Sequence, residues 1–202
     1  MESHPKHLPA EKRRALTVAA VLKLAAEMNS DAITTAAIAD RMNLSQGALF
    51  RHFPNKEALW LAVMEWVADQ LLTRVDRATK DLTSPVAALE AMFMTHIDFV
   101  ACHPGVPRIL FSELQHARET PAKNTVRGLS KQYGKRLRSL IEAGKSQGEL
   151  AADIDPDTAV TMFIGIVQGL VMQSLIAGDV QRLRRDAPGA FALYRRALRR
   201  AQ

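Results

Sequence analysis

The sequence predicts an all-α fold, and three observations carry that prediction. Apolar residues recur at three- and four-residue spacing along most of the chain, the pattern of helices with one buried face. No stretch alternates apolar and polar residues as a half-buried strand would. Gly and Pro fall between the periodic stretches, often beside Ser, Asp or Asn, and so mark helix starts and stops. A chain of 202 residues with 48% hydrophobic composition can build one sizeable helical core beside a small satellite domain. Aromatics are only 5%, so Leu, Ala, Ile, Val and Met must fill most of that core.

The elements follow in order. Residues 1–9, with Pro5 and Pro9, are expected to form a disordered arm, and a first helix is placed at 10–28. Thr34 is a good N-cap for a helix near 35–42 whose inward face is Ile38, Ala39 and Met42. Asn43 stands where that helix must stop in a left-handed conformation, which Asn tolerates at low cost. Ser45 then caps a helix near 46–52 that buries Leu49 and Phe53; Pro54 ends it and Asn55 caps the next. A long helix at about 56–79 carries Leu59, Val63, Trp66, Val67 and Leu71 inward. Ser84-Pro85 reads as a cap followed by Pro at the first helical position, opening a helix to about 102. His103-Pro104-Gly105 interrupts the chain, and a shorter helix with Ile109, Leu110, Phe111 and Leu114 ends before Pro121. The next helix spans about 121–147 and stops at Gly148. Asp155-Pro156 repeats the cap-plus-Pro start for a helix to about 177, and a last helix spans about 188–200 after a short piece at 180–185.

Two very short helices around a tight turn form a helix-turn-helix, whose second helix can enter the DNA major groove. Gly47-Ala48-Leu49-Phe50-Arg51-His52-Phe53, followed by Asn55-Lys56-Glu57-Ala58-Leu59, resembles the signature of TetR/AcrR-type transcriptional regulators. Upstream, Ala20-Val21-Leu22-Lys23-Leu24-Ala25-Ala26-Glu27-Met28-Asn29 resembles the first helix of that family's DNA-binding domain. The resemblance implies a homodimer with a three-helix DNA-binding domain at 10–55 and a larger helical domain at 56–202. The larger domain would dimerise and bind a small effector that releases the operator, the behaviour of a repressor.

The departures from the family pattern bear on which operator is read. The family usually has Gly where Asn29 and Asn43 end the first two helices, and Asn is the best replacement for Gly there. It usually has Tyr where Phe50 stands, so a hydroxyl that reaches phosphate is lost and Phe50 offers only packing. Ala48 replaces a common Thr, removing a hydrogen-bonding group close to the bases.

On the second helix, Ser45, Gln46, Ala48, Arg51 and His52 are the candidates to face DNA. Gln46 can pair bidentately with adenine, and Arg51 with guanine N7 and O6. Gly47 lets the backbone approach the duplex closely. Thr34 and Thr35 offer hydroxyls and amides to phosphate, and Lys56 matches the family's phosphate-contacting lysine.

For the effector, the candidate lining residues are Met92, Phe93, His96, Phe99, Phe111, Met162, Phe163 and Ile166. Apolar walls with His96 or Gln168 as polar anchors suit a hydrophobic or aromatic ligand. Gly165 and Gly169 form a small-xxx-small pair that admits another helix closely, either across a dimer or within one chain. The family resemblance favours dimerisation through the last two long helices.

Charge is a weaker guide. The formal net charge is +6, but residues 1–76 hold nine Lys/Arg against nine Asp/Glu, and 77–181 hold eleven of each. The surplus lies in 182–202, with seven Arg against Asp186, and reads as a solvated helix face. Lys12-Arg13-Arg14 and Lys56 are the cations placed to meet phosphate. Cys102 is the lone cysteine, which excludes an internal disulfide framework and fits a reducing cytosol. The stretch 158–178 carries no formal charge, but Thr161, Gln168, Gln173 and Ser174 favour a helix buried in protein over a membrane span. His96, His103 and His116 lack ligand-pair spacing, and no nucleophile elbow or phosphate loop occurs, so neither metal, cofactor nor enzymatic activity is expected. The rival reading is an architectural or interaction protein that binds DNA constitutively, with no effector.

Overall fold

The computed structural model describes residues 10–199, and the arm expected at 1–9 lies outside them. Among the described residues there are nine α-helices, one short 3-10 turn and no strand. The helices are α1 (Ala10–Glu27), α2 (Thr35–Arg41), α3 (Gln46–Phe50), α4 (Lys56–Thr79), α5 (Pro85–Cys102), α6 (Gly105–Gln115), α7 (Pro121–Ser146), α8 (Pro156–Ala177) and α9 (Arg182–Ala197); the 3-10 turn is Ser30–Ala32. The described residues form two compact units, one holding 10–68 together with 103–126, the other holding 69–102 and 127–199.

In the first unit, α1 buries Val18, Val21, Leu22 and Ala25 at helical spacing, and α6 packs against this stripe. α6 therefore belongs with the helix-turn-helix, although the chain reaches it only after α5. Gly105 makes the contact possible, because any side chain there would meet the backbone of α1 at Leu22. The expected caps are present. Thr34 Oγ1 accepts from Ala37 N at 3.1 Å, Ser45 Oγ from Ala48 N at 3.2 Å, and Asn55 Oδ1 from Ala58 N at 2.8 Å. Asn43 takes a φ of 52°, the left-handed stop that ends α2. Asn29 differs from expectation: its backbone is extended, with φ −64° and ψ 140°, because the chain passes directly into the 3-10 turn. α3 is also shorter than expected, with Arg51 and His52 in the turn that follows it.

In the second unit, α5, α8 and α9 pack together around an aromatic cluster. The Phe93 ring lies 5.3 Å from both Phe163 and Phe191, and Phe163 lies 5.5 Å from Tyr194. Tyr194 donates its hydroxyl to the Ala159 carbonyl at 3.0 Å, so the buried phenol is satisfied. Ser84 caps α5 through Ala87 N, and Glu149 accepts from both Ser84 Oγ and Val86 N. Asp155 caps α8 through Thr158, and α8 ends at left-handed Gly178.

α9 corrects the expectation of a break before residue 188. It runs unbroken from Arg182 with Pro188 inside it. Leu183, Ala187, Phe191 and Tyr194 keep one buried stripe across the proline, which itself sits on the exposed face, so packing outweighs the lost hydrogen bond. Four arginines of this segment are ion-paired, each still partly open to solvent. Arg182 pairs with Asp186, Arg184 with Asp98, Arg185 with Asp179 and Arg195 with Glu90.

Candidate DNA interface and effector core

The helix-turn-helix is held from beneath and open above. Ile38, Ala39, Leu49 and Phe53 are buried and fix α2 and α3 against the unit's core, while Met42 is only half-buried. On the other side Ser45, Gln46, Gly47 and Arg51 are exposed in sequence, with Ala48 and His52 half-buried beside them. Nothing lies within 4 Å of a Cβ built on Gly47, so no neighbour in this chain requires glycine there. The free space faces outward, where a close-approaching duplex backbone would need it. Phe50 is 43% exposed, so its ring is not packed into the core of the unit.

The cations are placed unequally. Arg14 is engaged within the unit, bonding Glu65 at 2.8 Å and lying over the Phe53 ring, whereas Lys12 is exposed. Lys56 begins α4, donates to the Ser30 carbonyl at 3.3 Å and sits 5.2 Å over the Trp60 ring. These contacts use one of its three donor directions and leave the ammonium half-exposed. Glu27 of α1 and Arg41 of α2 form a bidentate pair that holds the two helices in register, and the carboxyl is pushed below its usual range by that guanidinium.

The expected effector residues separate. Met92, Phe93, His96 and Phe99 lie along α5 and Phe163 on α8, all in the second unit, with Phe93 and Phe163 in edge contact. Phe111 is half-buried on α6 in the other unit. Met162, 40% exposed, and Gln168 lie on the outward face of α8 and not in the aromatic core. Ile166 is half-buried. α8 is apolar nearly all round, so spacing could not tell its inner face from its outer one.

One partner was missed by sequence reasoning. Tyr133 on α7 places its hydroxyl 3.1 Å from His96 Nδ1, with the rings in edge contact and Phe163 beyond. Burial pushes the His96 imidazole down to about 4 and the Tyr133 phenol up, so both stay neutral and form a polar pair inside apolar surroundings. The signal was present: Tyr133, Leu137 and Ile141 follow each other at four-residue spacing on a helix otherwise rich in charge.

The outward face of α8 carries Met162, Gly165, Gln168, Gly169, Met172, Gln173 and Ile176, the last 73% exposed. Nothing lies within 4 Å of a Cβ built on either glycine, so the internal-packing alternative for this pair is not realised. On α9, Leu193 is 66% exposed and Gly189 is likewise open. The helix expected to be buried in protein is thus buried on one face only.

Comparison with known proteins gives this arrangement its context. Residues 18–63 match the family model described as "Bacterial regulatory proteins, tetR family", and residues 82–172 match "Tetracyclin repressor-like, C-terminal domain". The nucleoid occlusion factor SlmA of Klebsiella pneumoniae is 24% identical over 160 residues, which span 79% of this chain and 81% of that protein. The ketosteroid transcriptional regulator KstR2 of Mycobacterium tuberculosis has a similar fold, with a TM-score of 0.77 at 20% identity over 94% of this chain and 96% of that one. The transcriptional regulator FadR of Bacillus subtilis, solved in complex with stearoyl-CoA, gives a TM-score of 0.78 at 17% identity over 89% and 96%.

Proposed function

We propose, from the premise that the chain belongs to the TetR family of bacterial regulatory proteins, that this DNA-binding regulator is a homodimeric repressor released by a small hydrophobic effector. The observation that carries the reading is the exposed row Ser45, Gln46, Gly47 and Arg51, along α3 and its two flanking cap positions, fixed from below by Leu49 and Phe53. Gln46 and Arg51 read base edges, Thr34, Thr35 and Lys56 hold phosphates, and Phe50 touches a thymine methyl. Residues 10–55 act as the reading head. Two copies joined through the open faces of α8 and α9 present two such heads, about 34–36 Å apart, to successive major grooves of a pseudo-palindromic operator.

The effector occupies the second unit beside the His96–Tyr133 pair, where Met92, Phe93 and Phe163 supply apolar walls. The complex of a structural relative with stearoyl-CoA supports an amphiphilic or acyl-bearing ligand class. A second reading, constitutive DNA binding without an effector, draws on the name of the curated relative, a nucleoid occlusion factor.

The operator is obtained by selection from random duplexes, and its affinity is then measured by fluorescence anisotropy. Ligands from a thermal-shift screen are titrated against free and operator-bound protein. By linkage, a ligand that weakens operator binding must itself bind the operator complex more weakly by the same factor. Equal ligand affinity in both states overturns the effector reading and leaves the constitutive one.

A further inference from the structure

Within the first unit a small cleft of about 190 Å³ opens between the first turns of α4 and the connection from α6 to α7. Lys56 and Trp60 line it from α4, Glu113 from α6, and Arg118 and Thr120 from the connection. A buried network holds that connection in place. Glu113 accepts from Thr120 Oγ1 at 3.1 Å and lies 3.6 Å from His116 Nε2. Thr120 Oγ1 caps α7 by accepting from Lys123 N at 3.1 Å, and buried Lys123 donates its ammonium to the His116 carbonyl. Because α6 packs on α1, the connection belongs to the same body as the helix-turn-helix. Arg118 takes no part in the network. It is exposed and has neither an ion pair nor a hydrogen bond among the described residues.

We propose that Arg118 is a second anchor for the DNA backbone, holding a phosphate next to the one held by Lys56, so that the connection from α6 to α7 extends the interface beyond the helix-turn-helix. Lys56 opens α4 directly after the helix-turn-helix and keeps its ammonium half-exposed. Arg118 lines the same cleft, so the two cations front one surface. The guanidinium fork matches the geometry of phosphate oxygens, and no pair within the chain has to break before it binds one. The cleft is smaller than the roughly 300 Å³ at which pockets for organic ligands begin, and a single anionic group suits it better than an effector.

This rests on the DNA-binding reading above and deepens it. Two carboxylates also line the cleft, and neither cancels the cations at its mouth. Glu113 is buried and engaged with Thr120 and His116, and half-buried Glu57 lies in the first turn of α4, where the helix dipole favours a negative charge. The fixed connection also matters. Only the Arg118 side chain has to be ordered on binding, and a phosphate contact from a rigid support sets how the reading head sits on the duplex.

The test follows anisotropy of the full-length protein over a salt series, on the selected operator and on an unrelated duplex. A phosphate contact serves both, so Arg118→Ala should weaken each by about five-fold per protomer at physiological salt and flatten the salt dependence as much as Lys56→Ala does. Arg118→Lys keeps the charge and should retain most of the affinity. Arg108→Ala removes an exposed arginine of α6 outside the cleft and should leave the slope unchanged. Single methylphosphonate substitutions in the operator then locate the contact. The phosphate whose neutralisation no longer costs affinity in Arg118→Ala should differ from the one silenced in Lys56→Ala. An unchanged slope in Arg118→Ala, an equal loss in Arg108→Ala, or one phosphate shared by both residues overturns the assignment. Saturable binding of inorganic phosphate through Arg118, with no change on DNA, overturns it in favour of a small-anion site. The two readings fail separately: loss in Lys56→Ala without loss in Arg118→Ala removes the anchor alone, whereas a wild type that binds neither duplex removes both.

Discussion

Gly105→Ala should loosen the first unit while changing a single methyl group. A Cβ on Gly105 would stand 2.2 Å from the Leu22 carbonyl oxygen and 3.0 Å from both Ala25 Cβ and Ala26 N. Carbon and carbonyl oxygen rest about 3.3–3.6 Å apart even in a favourable contact, so α6 must retreat from α1 by roughly 1 Å. The obstacle is backbone, and no rotamer change relieves it. A gap of that size forfeits a large share of the dispersion contact along Val21, Leu22, Val106 and Ile109. Overpacking of this kind costs about 1–3 kcal/mol, which in a chain of this length lowers the melting temperature by roughly 2–12 °C. Thermal melting followed by circular dichroism reads the shift. Gly128→Ala is the matched control: nothing lies within 4 Å of its Cβ, and it sits inside α7. Alanine there should stabilise by up to about 1 kcal/mol through helix propensity. A Gly105→Ala protein that melts at or above the wild type would refute the close approach of α6 to α1.

Arg51→Ala should cost about 1–3 kcal/mol of specific operator affinity and relax discrimination at one base pair; an equal loss on all sequences would remove its base-reading role. Lys56→Ala should weaken binding on every sequence and reduce the salt slope by about one unit, read from anisotropy over a range of salt. Gly169→Leu should leave the protomer folded, since its surroundings are open, but dissociate the dimer in sedimentation; a fully dimeric variant would take that position out of the interface. His96 predicts a pH dependence, because its imidazole is lowered to about 4 by burial. The unfolded chain takes up that proton first, so stability is fully present above the ordinary value near 6.5 and falls as pH drops toward 4, by at most about 3 kcal/mol. His96→Gln should remove that part of the acid destabilisation, read as melting temperature against pH.

What was legible in the chain was mostly local chemistry. Thr34, Ser45, Asn55 and Asp155 cap helices as expected, because a side chain three residues from an orphan amide needs no tertiary context. Asn43 declared its left-handed turn for the same reason. Reading failed where distant packing decides. Pro188 signalled a start but lies within α9, because the buried stripe continues through it. Phe111 looked like an effector wall, yet α6 packs on α1, a partner some eighty residues earlier. Arg136 and Asp76 form an ion pair although they stand sixty positions apart, and no spacing rule joins them.

α8 shows the same limit in its sharpest form. Its 22 apolar-rich residues have the length and hydropathy of a membrane span. One face, Ala159, Phe163, Val167, Val171 and Ser174, is buried within the unit, where α9 and α5 pack on the helix. Against lipid, the other face would leave Gln168 and Gln173 without partners, at a cost of roughly several kcal/mol per amide. α9, packed along α8, would carry exposed Arg185 and Arg196 toward the same lipid. A second protein helix removes both difficulties: the two glycines lower the surface for close approach, and flanking Met162, Met172 and Ile176 gain apolar partners. On that reading dimerisation and operator binding are one property, since a lone protomer holds one half-site and half the phosphate contacts. Gly169→Leu should therefore lose the palindromic operator and keep the weak, salt-sensitive affinity of a single head, while a monomeric variant with full operator affinity would separate the two.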